Sequence, residues 1–214
     1  MSETTLASLR IDGLDGLLVT KYTWQEGVSR LFEASLELAA ATGDIGFDAV
    51  AMRPARLSVR GLSGTRHLHG MVARWEYLHT GLEHTYYRAT VVPLAHRLAL
   101  RQDMRIFQRM TAPEIARDVL LGAGLHADEF RLDIVREHPR RDYCVQYRET
   151  DLDFLHRLLA RDGMFYFFEH TERTCVLVLA DHPKAHVAPP GLTGPLLYDT
   201  GFATSRERLT GLRV

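Results

Sequence analysis

Two of the chain's eleven histidines have a spacing that suits metal chemistry. His67 and His69 are two residues apart in a strand-like stretch, so both side chains project from one face. Histidine nitrogens commonly bind zinc, and His79 or His84 is a candidate third ligand. No carboxylate stands beside them at a ligand spacing. The pattern leaves a metal-dependent hydrolase on a β-barrel as an alternative function, while we expect no metal site and no cofactor.

Nucleophilic catalysis has weaker candidates. Ser63 lacks the G-x-S-x-G turn that exposes a serine nucleophile. Cys144 would need His156 or His170 to activate its thiolate, but its neighbours predict a buried strand position. We therefore predict no catalytic residue, and a protein that is not an enzyme.

Three carboxylates cluster where a helix is predicted to begin, and capping explains them without catalysis. They are Glu149, Asp151 and Asp153. Thr150 can accept a hydrogen bond from the amide of Asp153, and negative charge is favourable in a first helical turn. Gly163 can adopt the left-handed conformation that ends a helix.

The helix predicted over 151–162 is amphipathic. Its leucines fall on one stripe: Leu152, Leu155, Leu158 and Leu159. Asp153 is spaced to pair with Arg157 one turn later. We expect the leucine stripe to face the core and the ion pair to face solvent.

Strands are predicted on both sides of this helix. In 143–148, Tyr143, Val145 and Tyr147 alternate with Cys144, Gln146 and Arg148, which is the period of a strand with one face toward a core. The strand near 164–169 has apolar residues on both faces, so it is either sandwiched within the fold or covered by another chain. It is predicted to form a hairpin with 175–180.

A second helix is predicted near 112–122. Thr111 and Glu114 have the spacing of a reciprocal capping box. The helix either packs on its own sheet or docks on another subunit. Arg105 lies in the extended stretch before it, and its planar guanidinium suits a carboxylate within the chain or one across an interface.

The first part of the chain is predicted to be all β. Phe32, Ala34, Leu36 and Leu38 alternate with polar residues, and further strands follow at short spacing. The fold class is α+β and mostly β, a β-barrel with inserted short helices. We divide the chain into a first barrel domain at 6–100, an α+β segment at 101–182, and a linker at 183–214 that leads into an incomplete second barrel.

Composition excludes several classes of protein. A net charge of −1, from 26 basic and 27 acidic residues, gives no electrostatic attraction to nucleic acid. No apolar stretch approaches the ~20 residues that span a bilayer, and we expect neither a membrane anchor nor a signal peptide. Cys144 and Cys175 are expected to be buried hydrophobes in a cytoplasmic protein.

Three motifs together resemble the VgrG family of bacterial type VI secretion spike proteins. They are His69-Gly-Met-Val72, the block around Arg105-Ile-Phe-Gln108, and the run from Cys144 to His170. The residues that carry the resemblance are Arg105, Ile106, Phe107, Gln108, Thr111, Glu114, Val145, Gln146, Tyr147, Glu149, Asp151, Phe154, Leu155, Gly163, Phe165, Tyr166, Phe167, Phe168 and Glu169.

The resemblance implies a hub similar to the phage tail baseplate hub, also called the late control D family. Members are homotrimers with two tube domains per subunit, and their ring mates with the hexameric, Hcp-like inner tube protein. Further implied partners are baseplate proteins, a spike tip protein and effectors, and export occurs with the machine. A phage tail or another contractile injection system is the alternative. The sequence stops before the OB-fold and needle of a complete VgrG, so we expect part of a hub, with tip and effectors attached through regions beyond Val214.

Overall fold

A computed structural model describes residues 6–41, 43–61 and 64–186, together with the backbone of two short strands at 197–198 and 208–209. Ser63 and nearly all of the predicted linker and second barrel lie outside the described residues. Within the described residues, no helix has the length and hydropathy needed to cross a membrane.

Six antiparallel strands form a curled sheet in the first half of the chain. They are β1 Ala7–Ile11, β2 Leu17–Gly27, β3 Arg30–Ala40, β4 Pro54–Gly61, β5 Gly64–Thr80 and β6 Thr85–Val92. Their order is β1-β4-β5-β6-β3-β2, and the two edge strands contact each other. The predicted barrel is therefore a strongly curled sheet, and no hydrogen-bonded ladder joins β1 to β2 in the part of the chain described.

The inner face of this sheet follows the predicted alternation. Phe32, Ala34, Leu36 and Leu38 of β3 are all buried, as the period of two requires. Bulges in β2 and β5 add residues to one strand of a pair, and such bulges bend a sheet.

Gly70 is a residue of β5 that the backbone of Val92 approaches closely. A Cβ placed on Gly70 would lie 2.3 Å from the carbonyl oxygen of Val92, which is backbone and cannot rotate away. Steric exclusion of any side chain therefore explains why the His69-Gly-Met-Val72 motif has a glycine at this position.

The remaining elements form the α+β part. They are α1 Arg97–Leu100, β7 Gln102–Met110, α2 Ala112–Gly122, β8 Phe130–Asp133, β9 Arg141–Thr150, α3 Asp151–Arg161, β10 Phe165–His170, β11 Cys175–Ala180, β12 Leu197–Tyr198 and β13 Arg208–Leu209. Strands β7 and β9 pair antiparallel as a two-stranded ribbon, and β10, β11 and β8 form a three-stranded sheet. Strand β12 pairs with β13.

Both predicted helix caps are confirmed. The Thr111 hydroxyl accepts from the amide of Glu114, and the Glu114 carboxylate accepts from the amide of Thr111, which completes the capping box of α2. Thr150 accepts from the amide of Asp153 at 3.0 Å. Gly163, with φ of 62°, follows the end of α3.

The two halves of the chain share one hydrophobic core. The rings of Phe32 and Phe168 meet edge to face with centroids 4.9 Å apart. The amide of Ser29 donates to the carbonyl of Tyr166 at 2.8 Å. The sheet and the α+β part are thus packed through β10.

Strand β10 is covered within the chain on both faces. Tyr166 and Phe168 are buried, while Phe165 and Phe167 are half-buried. The ring of His186 lies 5.0 Å from that of Phe165 and 4.9 Å from that of Phe167. Of the two possibilities that the sequence left open, the structure favours the sandwiched strand.

A buried carboxylate holds the loop between β8 and β9. The side chain of Asp181 is 0% exposed and accepts from the amides of Val135 and Arg136 at 3.0 and 2.9 Å. His138 Nε2 donates to it at 3.1 Å, and the other ring nitrogen lies 3.5 Å from Asp162. Burial alone would raise the pKa of Asp181, but these donors and the Arg136 guanidinium outweigh it and lower the pKa to about 2.

We predict that Gly70→Ala destabilises the fold by about 1–3 kcal/mol, because the new methyl group collides with backbone. Urea unfolding followed by circular dichroism measures this. Gly46→Ala is the matched control, since a Cβ at Gly46 meets nothing within 4 Å. Equal stability of the two variants would contradict the steric explanation.

We also predict that acid removes the contribution of Asp181 to the free energy of unfolding. Its pKa is depressed on folding, so the stabilisation is present above the unfolded pKa of about 3.9 and is lost as the pH falls toward 2. Asp181→Asn should lower the free energy of unfolding by roughly 1–2 kcal/mol near pH 7, and the deficit should narrow near pH 2.5. The exposed Asp142→Asn serves as control; a deficit independent of pH would refute the prediction.

Candidate functional site: the polar cluster between ribbon and helix

The histidines that suggested metal binding have protein partners instead. His67 Nδ1 and the Ser58 hydroxyl share a hydrogen bond of 2.9 Å, and His69 Nε2 donates to the carbonyl of Glu172 at 3.0 Å. Burial lowers the pKa of His69, although that carbonyl opposes the shift. Among the described residues, no three histidine, cysteine or acidic side chains are grouped to hold a metal ion.

The two candidate bases for Cys144 are hydrogen-bonded to other side chains. Cys144 is buried, while His156 shares a hydrogen bond of 2.8 Å with the Tyr166 hydroxyl. His170 donates to Glu26 at 3.1 Å. Burial lowers the pKa of His156, so its ring favours the neutral form. Both His156 and His170 therefore have structural partners.

The two later motifs meet in a buried polar cluster, which we call the motif cluster: Arg105, Gln146 and Asp151. Arg105 donates to Gln146 Oε1 from Nε at 3.0 Å and from Nη2 at 2.7 Å. Arg105 Nη2 also donates to Asp151 Oδ1, and Gln146 Nε2 donates to the same oxygen at 2.7 Å. The cluster therefore joins β7, β9 and α3 through three side chains.

Further contacts support the buried carboxylate. The side chain of Asp151 is 0% exposed, and its second oxygen lies 3.6 Å from Arg101 Nε. The Asp151 amide donates to the carbonyl of Arg101 at 2.9 Å. Arg105 also lies 3.3 Å from Asp103. The carboxylate faces two guanidinium groups, which a buried charge requires.

Apolar contacts complete the junction beside the motif cluster. The rings of Phe107 and Phe154 stack with centroids 5.5 Å apart and planes 9° apart. Leu155 is buried beside them in the core, and the Arg105 guanidinium lies 5.6 Å from the centroid of Phe107. This packing and the polar cluster fasten the same ribbon face to α3.

The ribbon buries one of its faces and exposes the other, and the burial expected for Cys144 is confirmed. Cys144 and Gln146 face the core, whereas Tyr143, Val145 and Tyr147 are exposed. The alternation itself was right. The polar member of the inward set, Gln146, is buried because the motif cluster satisfies its amide.

Other polar motif residues cap a helix or form ion pairs: Thr111 and Glu114 cap α2, and Glu149 and Glu169 form ion pairs. Glu149 binds Arg157 and Glu169 binds Arg131 through both carboxylate oxygens. The expected pair of Arg157 with Asp153 was wrong. Glu149, in the preceding strand, takes the guanidinium, whose Nη2 also donates to the Val145 carbonyl at 3.0 Å.

The role of Asp151 as the buried carboxylate of the motif cluster was not predicted from the sequence. Its place in the first turn suggested favourable charge at a helix start. The structure adds that Asp151 is buried against Arg105, 46 residues earlier in the chain. The available signal was that Arg105 stands between Met104 and Ile106, and Gln146 between Val145 and Tyr147. Pairing them with a carboxylate required the fold.

We predict that Asp151→Asn lowers the free energy of unfolding by about 3 kcal/mol, because the two facing guanidinium groups lose their buried counter-charge. Asp153→Asn, in the same helical turn but exposed, should cost about 0.5 kcal/mol. Urea denaturation measures both variants.

A double-mutant cycle with Arg105→Met tests whether the two side chains act together. The double variant should cost at least about 1 kcal/mol less than the sum of the single variants. Additive costs would show that Arg105 and Asp151 contribute independently, against the cluster as described.

Comparison with known proteins shows the family to which the chain is related. A family model described as phage tail baseplate hub (GPD) matches residues 25–214. Two similar proteins are type VI secretion system spike proteins of Pseudomonas aeruginosa. VgrG5 is 37% identical over 218 residues, covering 95% of this chain and 27% of its own length. VgrG4b is 35% identical over 195 residues, covering 86% and 24%.

A solved structure shows the same fold. It is the E. coli c3393 protein, described as a component of the type VI secretion system with structural similarity to the T4 bacteriophage tail proteins gp27 and gp5. The TM-score is 0.80 at 24% identity, over 85% of this chain and 51% of that one. The chain spans about a quarter of the length of the two spike proteins. It belongs to the phage tail baseplate hub family.

Proposed function

We propose that this chain is the structural hub of a type VI secretion spike, forming a homotrimer that caps the hexameric inner tube. The observation that carries the proposal is its similarity to type VI spike proteins over most of its length. In this proposal residues 6–100 form the first tube domain, 101–182 an α+β segment, and 183–214 lead into the second tube domain.

Baseplate proteins, a spike tip and effectors are the further partners that we propose. Tip and effectors would attach through parts of a longer hub beyond residue 214. The hub would assemble in the cytoplasm at the baseplate and leave the cell with the contracting machine, without a signal peptide.

The motif residues support a structural rather than catalytic role. Arg105, Gln146 and Asp151 bind one another instead of lining a cleft, and the Asp151 carboxylate is 0% exposed. A carboxylate buried against two guanidinium groups has no access to a substrate. The hydrolase alternative, built on His67 and His69, would have to displace the partners that these side chains already have.

A phage tail hub is the second candidate, because the matching family is described by that role. The two candidates differ in the inner tube protein that the ring meets. The spike proteins among the relatives favour the type VI system.

We predict that the purified chain binds a hexameric type VI inner tube protein. Size-exclusion chromatography with light scattering should show a complex heavier than either component, with one hub trimer on one hexamer. A phage tail tube protein is the matched control. Binding to the phage protein alone would favour the second candidate, and binding to neither would contradict the hub function.

A further inference from the structure

A cavity of about 580 Å³ lies where the curled sheet meets the α+β part, and we call it the junction cavity. Its lining comes from β1, β4 and β5 of the sheet, from β10 and β11, and from the loop that precedes β8. Pockets that bind small molecules have volumes of about 300–1,000 Å³. The junction cavity therefore has the size of a ligand site, and no member of the motif cluster lines it.

Part of the lining is apolar and buried. Ala95, Leu125, Phe168 and Leu177 line the cavity and belong to the hydrophobic core. Phe168 of β10 is directly opposite Leu177 of β11, so the two side chains form one apolar surface. Moving an apolar group from water onto such a surface is favourable. The cavity therefore suits a ligand with an apolar body.

Basic side chains from three neighbouring strands form a row at the junction cavity. Arg10 of β1 is directly opposite Arg56 of β4, and Arg56 is directly opposite His69 of β5. Like charges directly opposite each other destabilise a sheet. Among the described residues, no carboxylate oxygen lies within 4.0 Å of the guanidinium nitrogens of Arg10 or Arg56. An anion bound beside the two arginines would offset their repulsion.

The turn between β10 and β11 is fastened to this row and brings a third arginine to the cavity. Arg56 Nη1 donates to the carbonyl of Glu172 at 3.3 Å, and His69 Nε2 donates to the same oxygen at 3.0 Å. Arg173, the next residue, lines the cavity. Burial lowers the pKa of His69, the Glu172 carbonyl opposes this, and the Arg56 guanidinium lowers the pKa further. The potential at the row is therefore positive.

Carboxylates in the lining restrict the charge of the ligand. Asp12, Asp128 and Glu129 also line the cavity, and the first two are exposed. The Glu129 carboxylate accepts from the amide of His126 at 2.7 Å, so it is already engaged. These charges would repel a ligand with several negative charges, such as a nucleotide. A ligand with one negative charge, placed at the arginines, is compatible with both groups of side chains.

We infer that the junction cavity binds a small apolar monocarboxylate. Its carboxylate accepts hydrogen bonds from Arg10 and Arg56, and its apolar body packs on Phe168 and Leu177. Hydrogen bonds between a guanidinium and a carboxylate are short and charge-assisted. Arg173 supplies a further donor from the turn. This ligand site goes beyond the proposed hub function and does not depend on it.

Three matched probes test the class of ligand. Isothermal titration calorimetry of the purified chain should show binding of 4-benzoylbenzoate, at least about tenfold tighter than its uncharged amide, 4-benzoylbenzamide. Equal affinities, or no binding of the carboxylate, would overturn the inference. The third probe, 4-benzoylphenylalanine, adds an ammonium group to the same rings. Tighter binding of this zwitterion would overturn the assignment to a monocarboxylate in favour of a ligand that resembles an amino acid.

Arginine substitutions test which side chains hold the carboxylate. Arg10→Gln and Arg56→Gln should each weaken binding of 4-benzoylbenzoate at least about fivefold and leave binding of the amide unchanged. Arg60→Gln is the matched control, because Arg60 lies on the same face of β4 as Arg56, is exposed and does not line the cavity. Wild-type affinity in both variants would refute the assigned role.

Thermal unfolding followed by circular dichroism shows whether the variants fold. Arg10 is exposed on an edge strand, so Arg10→Gln keeps the test valid if loss of the Arg56 contact with Glu172 loosens the turn. Because the substitution removes a like-charge pair, Arg10→Gln should unfold no earlier than the wild type.

Photo-crosslinking locates the bound probe. Illumination of the complex should attach the benzophenone of 4-benzoylbenzoate to peptides that contain Leu125, Phe168 or Leu177, as mapped by mass spectrometry. The uncharged amide at the same concentration should label these peptides less. Labelling confined to other apolar surfaces, such as the exposed residues Ile106 and Tyr147, would show that the probe binds elsewhere and would overturn the inference.

Discussion

The burial of the Asp151 carboxylate is the constraint that organises the α+β part. A carboxylate removed from water needs charged and hydrogen-bonding donors around it. Those donors come from Arg105 on β7 and Gln146 on β9, while Asp151 itself begins α3. A slip of one residue in either strand would turn its donor to the opposite face. One cluster therefore fixes the register of the ribbon and its contact with the helix.

The same cluster determines which ribbon face is buried. Arg105, Phe107, Cys144 and Gln146 occupy inward positions. The outward set is Met104, Ile106, Tyr143, Val145 and Tyr147. In a self-sufficient monomer the apolar set normally faces the core. This ribbon has apolar residues on both faces, and the described residues cover only the inner one.

Local chemistry was predictable from the sequence, and long-range pairing was not. The capping box at Thr111 and the cap at Thr150 involve residues three apart, and the alternation in β3 needs only its own strand. The ion pair of Asp151 joins residues 46 positions apart, and the hydrogen bond of His69 to Glu172 spans 103. The burial of Gln146 has the same cause, because an amide is an acceptable core residue only once its distant partners are known.

Stability alone does not explain a buried ionic cluster, since apolar replacements of similar volume are often as stable. The ribbon supplies a better reason. With apolar residues in place of Arg105 and Gln146, both faces would be hydrophobic, and either could pack on α3. Because only the face with Arg105 and Gln146 can pair with Asp151, the other face stays outward. The polar cluster then contributes the orientation of the ribbon more than free energy.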